Sequence, residues 1–305
     1  MLTTGSRLTA HLVALTVVAI WGSTFVFTKL LLNNGISPAQ IFTLRFIIAY
    51  VMLLFLEMVN ARRKGKRLTL LSRSWRDELI MAALGLTGGS LYFLSENAAM
   101  LHTTATNTSL IVCTCPLVTM LVFRLFYRTE RITRRQLAGS LTACLGMATV
   151  VLNGHFVLHL SPVGDLLAFT ACVCWAFYSL MMRLVTYDYS TVFITRKVFF
   201  YGLVTILPYY IVYPGMPAIA IILQPRILAN LLFLSCVASL ICFVAWNWVI
   251  RQLGAVSATN WVYFNPITTI IFAWWILSEQ ITPFFIIGTV LILAGMYWAD
   301  SKSRT

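Results

Sequence analysis

Apolar positions run along this chain in stretches of about 18 to 25 residues, cut by Gly, Pro and charged residues. Ten such stretches can be marked, near residues 9–32, 38–59, 77–96, 105–127, 135–152, 163–184, 192–213, 229–250, 256–277 and 283–299. About 20 apolar residues suffice for one helical crossing of hydrocarbon. The pattern therefore predicts an all-α polytopic membrane protein with ten transmembrane helices and short connections. The first stretch, 8–32, is too long for a signal-peptide core and has no A-x-A cleavage pattern after it, so it is expected to remain in the mature protein.

Composition agrees with the pattern. Of 305 residues, 60% are apolar or aromatic and 10% charged, and the mean hydropathy is +0.86, where water-soluble chains run at about 45 to 50% apolar and about 25% charged. Those values exclude an ordinary soluble domain and a disordered chain.

The net charge of +13 would suit a nucleic-acid partner, but its placement argues against one. Arg62, Arg63, Lys64, Lys66, Arg67, Arg73 and Arg76 share one connection, and Arg124, Arg128, Arg131, Arg134 and Arg135 crowd another. With the N-terminus inside, nineteen Lys and Arg fall on cytoplasmic segments and Arg226 alone on an outer loop, while Lys29 and Arg45 lie within spans. The positive-inside rule then places both termini in the cytoplasm, with the chain in the inner (plasma) membrane.

Cysteines 113, 115, 144, 172, 174, 236 and 242 all fall inside apolar stretches, which argues for small apolar packing rather than a disulfide framework. In the two Cys-x-Cys pairs the thiols point about 200° apart on a helix, which spoils joint metal ligation. His155 and His159 are spaced i,i+4 between Gly154 and Pro162, in an outer connection that need not be helical. No metal and no cofactor is expected.

The two halves can be laid on each other. Glu130 to Met147 and Glu279 to Met296 share Glu, Ile, Thr, Gly, Gly and Met without a gap; Pro116 matches Pro266, Asn97 matches Asn247 and Phe93 matches Phe243 at an offset of 150. Trp21 matches Trp175 at 154, and Phe42 with Arg45 matches Phe193 with Arg196 at 151. Each repeat would hold five spans, so the second, residues 153–305, enters the membrane from the opposite side to the first, residues 1–152. Inverted repeats of this kind mark secondary transporters, with the site at the repeat interface. The pairs Gly139/Gly146 and Gly288/Gly295 each lie two helical turns apart and offer a small-residue face for close helix contact.

W-G-S-T-F at Trp21 to Phe25, Arg45, and the series Pro116, Glu130, Gly139, Gly146 repeated as Pro266, Glu279, Gly288, Gly295 resemble the EamA-like family of the drug/metabolite transporter superfamily, over about residues 9 to 299. The resemblance implies ten helices, cytoplasmic termini, a central cavity lined mainly by helices 1, 3, 4, 6, 8 and 9, and movement of small metabolites, often export of amino acids or related compounds.

Candidate cavity residues follow from polar and aromatic groups inside spans. An intramembrane charge is expensive, about 2.5 to 3.5 kcal/mol at mid-membrane, so Arg45 either binds a substrate carboxylate, gates with Glu96, or pins helix 2 to a neighbour. Lys29 is close enough to an interface to snorkel. Glu130 and Glu279 read as caps of the following helices or as proton-coupling groups. Asn260, Trp261, Tyr263 and Asn265 need partners in hydrocarbon and suit a cavity with an aromatic lining and sparse amides. Trp246 and Trp248 suit an interfacial belt equally well. Trp21, Ser23 and Thr24 on helix 1 and Trp175 and Tyr178 on helix 6 occupy corresponding points of the two halves, and Asn107, Thr108 and Pro116 offer hydrogen-bonding groups beside a kink on helix 4.

The chain has no G-x-x-x-x-G-K-[S/T], H-E-x-x-H or G-x-S-x-G, which disfavours ATP-driven pumping and an intramembrane enzyme. Few buried Lys or Arg also disfavour polyanionic solutes. The sequence thus reads as a secondary transporter of a small amphipathic solute in the lipid bilayer. A transporter of another metabolite or drug-like compound and a non-transporting structural or sensory relative are the rivals. Proton coupling stays open, as does monomer against homodimer.

Overall fold

The computed structural model describes residues 4–65, 68–103, 105–127, 133–152, 161–213, 215–277 and 283–300. These residues form helices and connections. They are α1 (Thr4–Asn33), α2 (Pro38–Arg63), α3 (Trp75–His102), α4 (Ala105–Val112), α5 (Cys115–Phe126), α6 (Arg134–Leu152), α7 (Pro162–Val185), α8 (Thr191–Val212), α9 (Ile219–Ile222), α10 (Pro225–Leu253), α11 (Ala255–Thr259), α12 (Asn265–Leu277) and α13 (Pro283–Asp300). Six of them, α1, α2, α3, α7, α8 and α10, are long and apolar enough by length and composition to cross a membrane. Large apolar side chains face outward along the helices, Ile211 at 81% and Trp275 at 73% exposure among them, a surface that suits lipid.

Helix starts follow local chemistry. Ser37 accepts from the Gln40 amide while the Gln40 side chain accepts from the Ser37 N–H, a capping box ahead of Pro38. Ser74, Ser161 and Ser190 cap α3, α7 and α8 in the same way through their hydroxyls. Gly254, with φ of 82°, ends α10 in a backbone conformation that a side chain rarely adopts.

Two of the ten expected stretches are broken, at corresponding places. Pro116 cannot donate to Val112 O, and the helix turns at 113–114 between α4 and α5. Pro266 cannot donate to Val262 O, and Asn260–Phe264 tightens into a 3-10 segment between α11 and α12. A thiol lies against each break: Cys172 Sγ is 3.1 Å from Ile111 O and 3.4 Å from Val112 O, and Cys113 Sγ donates at 3.6 Å to Val262 O, which also accepts from Asn265 N. These cysteines therefore do more than fill space.

Two helices also widen into π turns, at Leu86–Ser90 in α3 and Phe233–Ile241 in α10. In α10 the widened turn offers two carbonyls to other helices: Leu234 O accepts from Arg45 Nε at 3.2 Å, and Ala238 O from Trp21 Nε1 at 2.9 Å.

The core joins both halves of the chain. Phe46 of α2 lies 5.2 Å from Phe93 of α3 and 4.8 Å from Phe199 of α8, and Phe199 lies 5.6 Å from Phe243 of α10, all between ring centroids. Asn97 and Asn247, paired in sequence, do parallel work: Asn97 donates to Pro38 O at the start of α2, and Asn247 to Thr195 early in α8. α6 and α13 pack antiparallel through the glycines marked in the sequence, Gly139 beside Gly295 and Gly146 beside Gly288.

Lys29 does not reach for an interface; its Nζ donates to Met100 O at 2.8 Å and ties α1 to α3. Glu130, Glu279, His155 and His159 lie outside the described residues.

Candidate functional site

A cavity lies where α1, α3, α7 and α10 meet the broken segments around Pro116 and Pro266. Six of its thirteen lining residues are aromatic. Trp21 and Trp175 meet edge to face at 5.6 Å, Tyr92 lies 5.2 Å from Trp175, and Phe243 lies 5.9 Å from Trp21. Such walls offer flat apolar area with little entropy to lose on contact.

Two charged groups join this wall. Arg45 projects from α2, its Nε donating to Ser239 Oγ at 2.6 Å, and its guanidinium carbon sits 4.7 Å from the Phe93 ring centre. Glu96, one turn beyond Tyr92 on α3, accepts from the Tyr92 hydroxyl at 2.8 Å. Arg45 and Glu96 both line the cavity, and each is held by other groups rather than by direct pairing with the other. A cation and a carboxyl group presented separately to one aromatic space can receive the two ends of a zwitterion.

The lining carries the sequence repeat. Phe93 with Phe243, Val112 with Val262, and Cys115 with Asn265 are each 150 apart, and Trp21 with Trp175 154 apart. The charged lining breaks the symmetry. Arg196, the sequence mate of Arg45, is buried away from the cavity on Glu57, at 2.7 Å, and the positions 150 beyond Tyr92 and Glu96 are Cys242 and Trp246.

Of the residues singled out by sequence, Trp21, Thr24, Arg45, Glu96, Trp175 and Asn265 line this cavity. Asn265 Oδ1 is buried with no partner. Ser23 does not face it, its hydroxyl donating to Ile20 O in its own helix. Tyr178 is fully buried beyond the cavity, bonded to Asn247. Asn260 and Trp261 line a separate surface recess, where Trp261 Nε1 donates to His11 Nδ1 at 3.2 Å. Tyr263 is buried near Cys144, whose thiol approaches its hydroxyl at 3.8 Å. The 3-10 geometry explains the difference: with three residues per turn, Val262 and Asn265 share the cavity face and their neighbours turn away. The side chain of Asn107 lies outside the described residues.

Sequence reasoning missed Tyr92, although its i,i+4 spacing to Glu96 was a usable signal. Trp246, for which an interfacial belt was one of two readings, is fully buried 5.0 Å from Trp21. Among the described residues no group of three or more His, Cys, Asp or Glu could hold a metal.

Arg45→Ala is expected to lower stability by about 2 to 3 kcal/mol, because a charged donor leaves Ser239 and Leu234 O unserved. Arg45→Lys should recover part of it, since a point charge lacks the planar fork. Thermal unfolding in detergent reads both.

The EamA-like transporter family matches residues 8–152 and 162–299. An uncharacterized transporter of Archaeoglobus fulgidus is 27% identical over 303 residues, covering 96% of this chain and 98% of its own. A probable terminal-alkyne amino-acid exporter of Streptantibioticus cattleyicolor is 26% identical over 75% of each chain. A probable amino-acid metabolite efflux pump of Escherichia coli is 23% identical over 93% of this chain and 92% of its own. A solved crystal structure of a protein shares the fold with TM-score 0.72 at 19% identity, over 97% of each chain.

Proposed function

Since the chain belongs to the EamA-like transporter family, within the drug/metabolite transporter superfamily, we propose that it exports amino acids or related amphipathic solutes across the inner membrane by alternating access. The carrying observation is the cavity itself, where Arg45 and Glu96 face one space walled by Trp21, Trp175 and Phe243. A solute with a carboxylate, an ammonium and an apolar side chain matches that layout group for group. The names of the Streptantibioticus and Escherichia relatives point to the same solute class.

In this reading the chain crosses the membrane ten times as two inverted five-helix repeats, residues 1–152 and 153–305, with both termini in the cytoplasm. The repeated spacing of the cavity lining and the antiparallel contact of α6 with α13 support that arrangement. The basic connections after α2 and α5 support the orientation. Glu96 is the candidate for proton coupling, being the carboxyl group that faces the cavity.

The test is counterflow in proteoliposomes with a pool of labelled apolar amino acids, with and without an imposed pH gradient. Saturable flux is expected. Trp175→Ala should reduce it at least about ten-fold through lost solute contact, and Glu96→Gln should remove its response to the gradient. Asn260→Ala/Trp261→Ala should leave it near wild type. Flux lost in that last variant but kept in Trp175→Ala would move the site to the His11 recess, and no flux from folded protein would favour another solute or a non-transporting relative.

A further inference from the structure

A second recess lies between α5, α6, α7 and the joint of α10 with α11. Four elements lead from the central cavity to it. On α5 Cys115 lines the first and Phe123 the second; on α7 Trp175 and Thr186; on α10 Phe243 and Ile250; across the α11 region Val262 and Ala255. About midway on these elements stand Thr119, Ser179, Trp246 and Ala258, all fully buried, so a closed septum separates the two spaces.

The septum is polar in an unusual way. Thr119 Oγ1, Ser179 Oγ and Trp246 Nε1 are buried without a hydrogen-bond partner, as are Trp175 Nε1 on the cavity side and Thr186 Oγ1 on the recess side. Hydroxyls on other helix faces behave differently: Thr16, Thr142, Thr149, Thr170 and Thr205 each donate to the carbonyl four residues back. The same acceptor was open to Thr119, Ser179 and Thr186 in their own helices, yet their hydroxyls turn away from it. A column of unserved polar atoms costs free energy in this state, and the cost is recovered where another state brings water or solute to it.

We propose that solute passes between the two cavities along this column, over Thr119, Ser179 and Thr186, with Arg183 at the recess receiving its carboxylate. The idea rests on the transport reading above, which places the recess on the cytoplasmic side. Arg183 lines the recess, its guanidinium carbon lies 4.4 Å from the Tyr127 ring centre, and a guanidinium can bind a carboxylate through two N–H groups.

Near-isosteric removal of the hydroxyls gives the first test. Thr119→Val/Thr186→Val should keep or raise Tm, because it removes unserved groups, while counterflow of the labelled amino-acid pool falls about ten-fold. Unchanged flux would overturn the passage, and so would a Tm loss that accounts for the flux loss, since the hydroxyls would then be structural.

The second test does not depend on knowing the solute. Ser179→Cys, with Thr186→Cys as alternative should the first misfold, should be modified by a membrane-impermeant thiol reagent added from the recess side and located by peptide mass spectrometry. Modification without any flux would refute the transport reading and keep the passage. No modification of either folded variant would overturn the passage, with or without flux.

Arg183→Gln should raise the KM for entry from the recess side several-fold in vesicles of phosphatidylcholine alone. A KM effect seen only with phosphatidylglycerol present would assign Arg183 to lipid headgroups and overturn its role with the solute.

Discussion

Gly139→Val and Gly295→Val should each prevent recovery of monodisperse, folded protein, with a destabilisation of ~3 kcal/mol or more per site. A Cβ placed on Gly139 would stand 2.4 Å from Ala299 N and 2.6 Å from Gly295 O, and one on Gly295 would stand 2.4 Å from Ala143 N and 2.5 Å from Gly139 O. Those neighbours are backbone atoms in helices, which cannot swing aside as a side chain tip would. Relief requires α6 and α13 to separate along their length, because Gly146 makes the same kind of approach to Ile292 N, at 2.6 Å, and to Gly288 O. Where lipid tails are as apolar as Leu, close van der Waals contact is the main force holding two helices together. Gly→Ala at the same positions should show a smaller loss of the same sign. Gly35→Ala, where an added Cβ meets nothing within 4 Å but φ is 79°, should cost only the backbone strain of that turn. Size-exclusion profiles and Tm in detergent check the series; Val variants that behave like Gly35→Ala would refute the contact.

Glu78→Ala is expected to cost about 3 to 5 kcal/mol, because it strands a buried ammonium. Glu78 Oε1 accepts from Lys197 Nζ and from the Tyr201 hydroxyl, while its Oε2 accepts from Ser72 N at 2.8 Å. Lys197 is 4% exposed, so water cannot replace the carboxylate. The pair belongs to a cluster that fixes the connection before α3: Arg196 holds Glu57 and Thr69 O, and the Tyr189 hydroxyl donates to Asp77 at 2.6 Å while accepting from Arg73 N. Loss of Glu78 should therefore also expose residues 68–74 to proteolysis. Glu78→Gln keeps acceptor and shape and should lose less. Glu78→Ala/Lys197→Met should recover most of the loss, since removing both charges removes the desolvation penalty. A double variant no better than Glu78→Ala would show that the carboxylate acts mainly through Ser72 and Tyr201.

Long apolar stretches made the class of protein and the placement of its helices readable, because hydrocarbon demands unbroken helical hydrogen bonding over a fixed length. The glycine pairs were readable for a similar reason: small residues at a two-turn spacing have few other uses in a span, and they do join α6 to α13. Arg45 and Glu96 stood out by the cost of charge in lipid, and both reach the cavity.

Side-chain direction at the breaks was not readable. A regular helix through 256–277 would give Asn260 and Trp261 a face that the 3-10 segment takes from them and gives to Val262 and Asn265. Arg45 and Arg196 match in sequence, yet one faces the cavity and the other an ion pair with Glu57. The carbonyls that settle Arg45 and Trp21 belong to a π turn about 190 to 220 residues away in the chain, and hydropathy carries no trace of it.

Residue order alone makes plain that this chain is helical and membrane-bound, which stretches form helices, and which small residues pack, because those follow from solvent and local backbone chemistry. Which aromatic and polar groups meet in one cavity, and which hydroxyls are left without partners, depends on how distant segments pack. Those choices are fixed by partners far away in the chain, as Leu234 O and Ser239 fix Arg45 and Ala238 O fixes Trp21, rather than by the residues themselves.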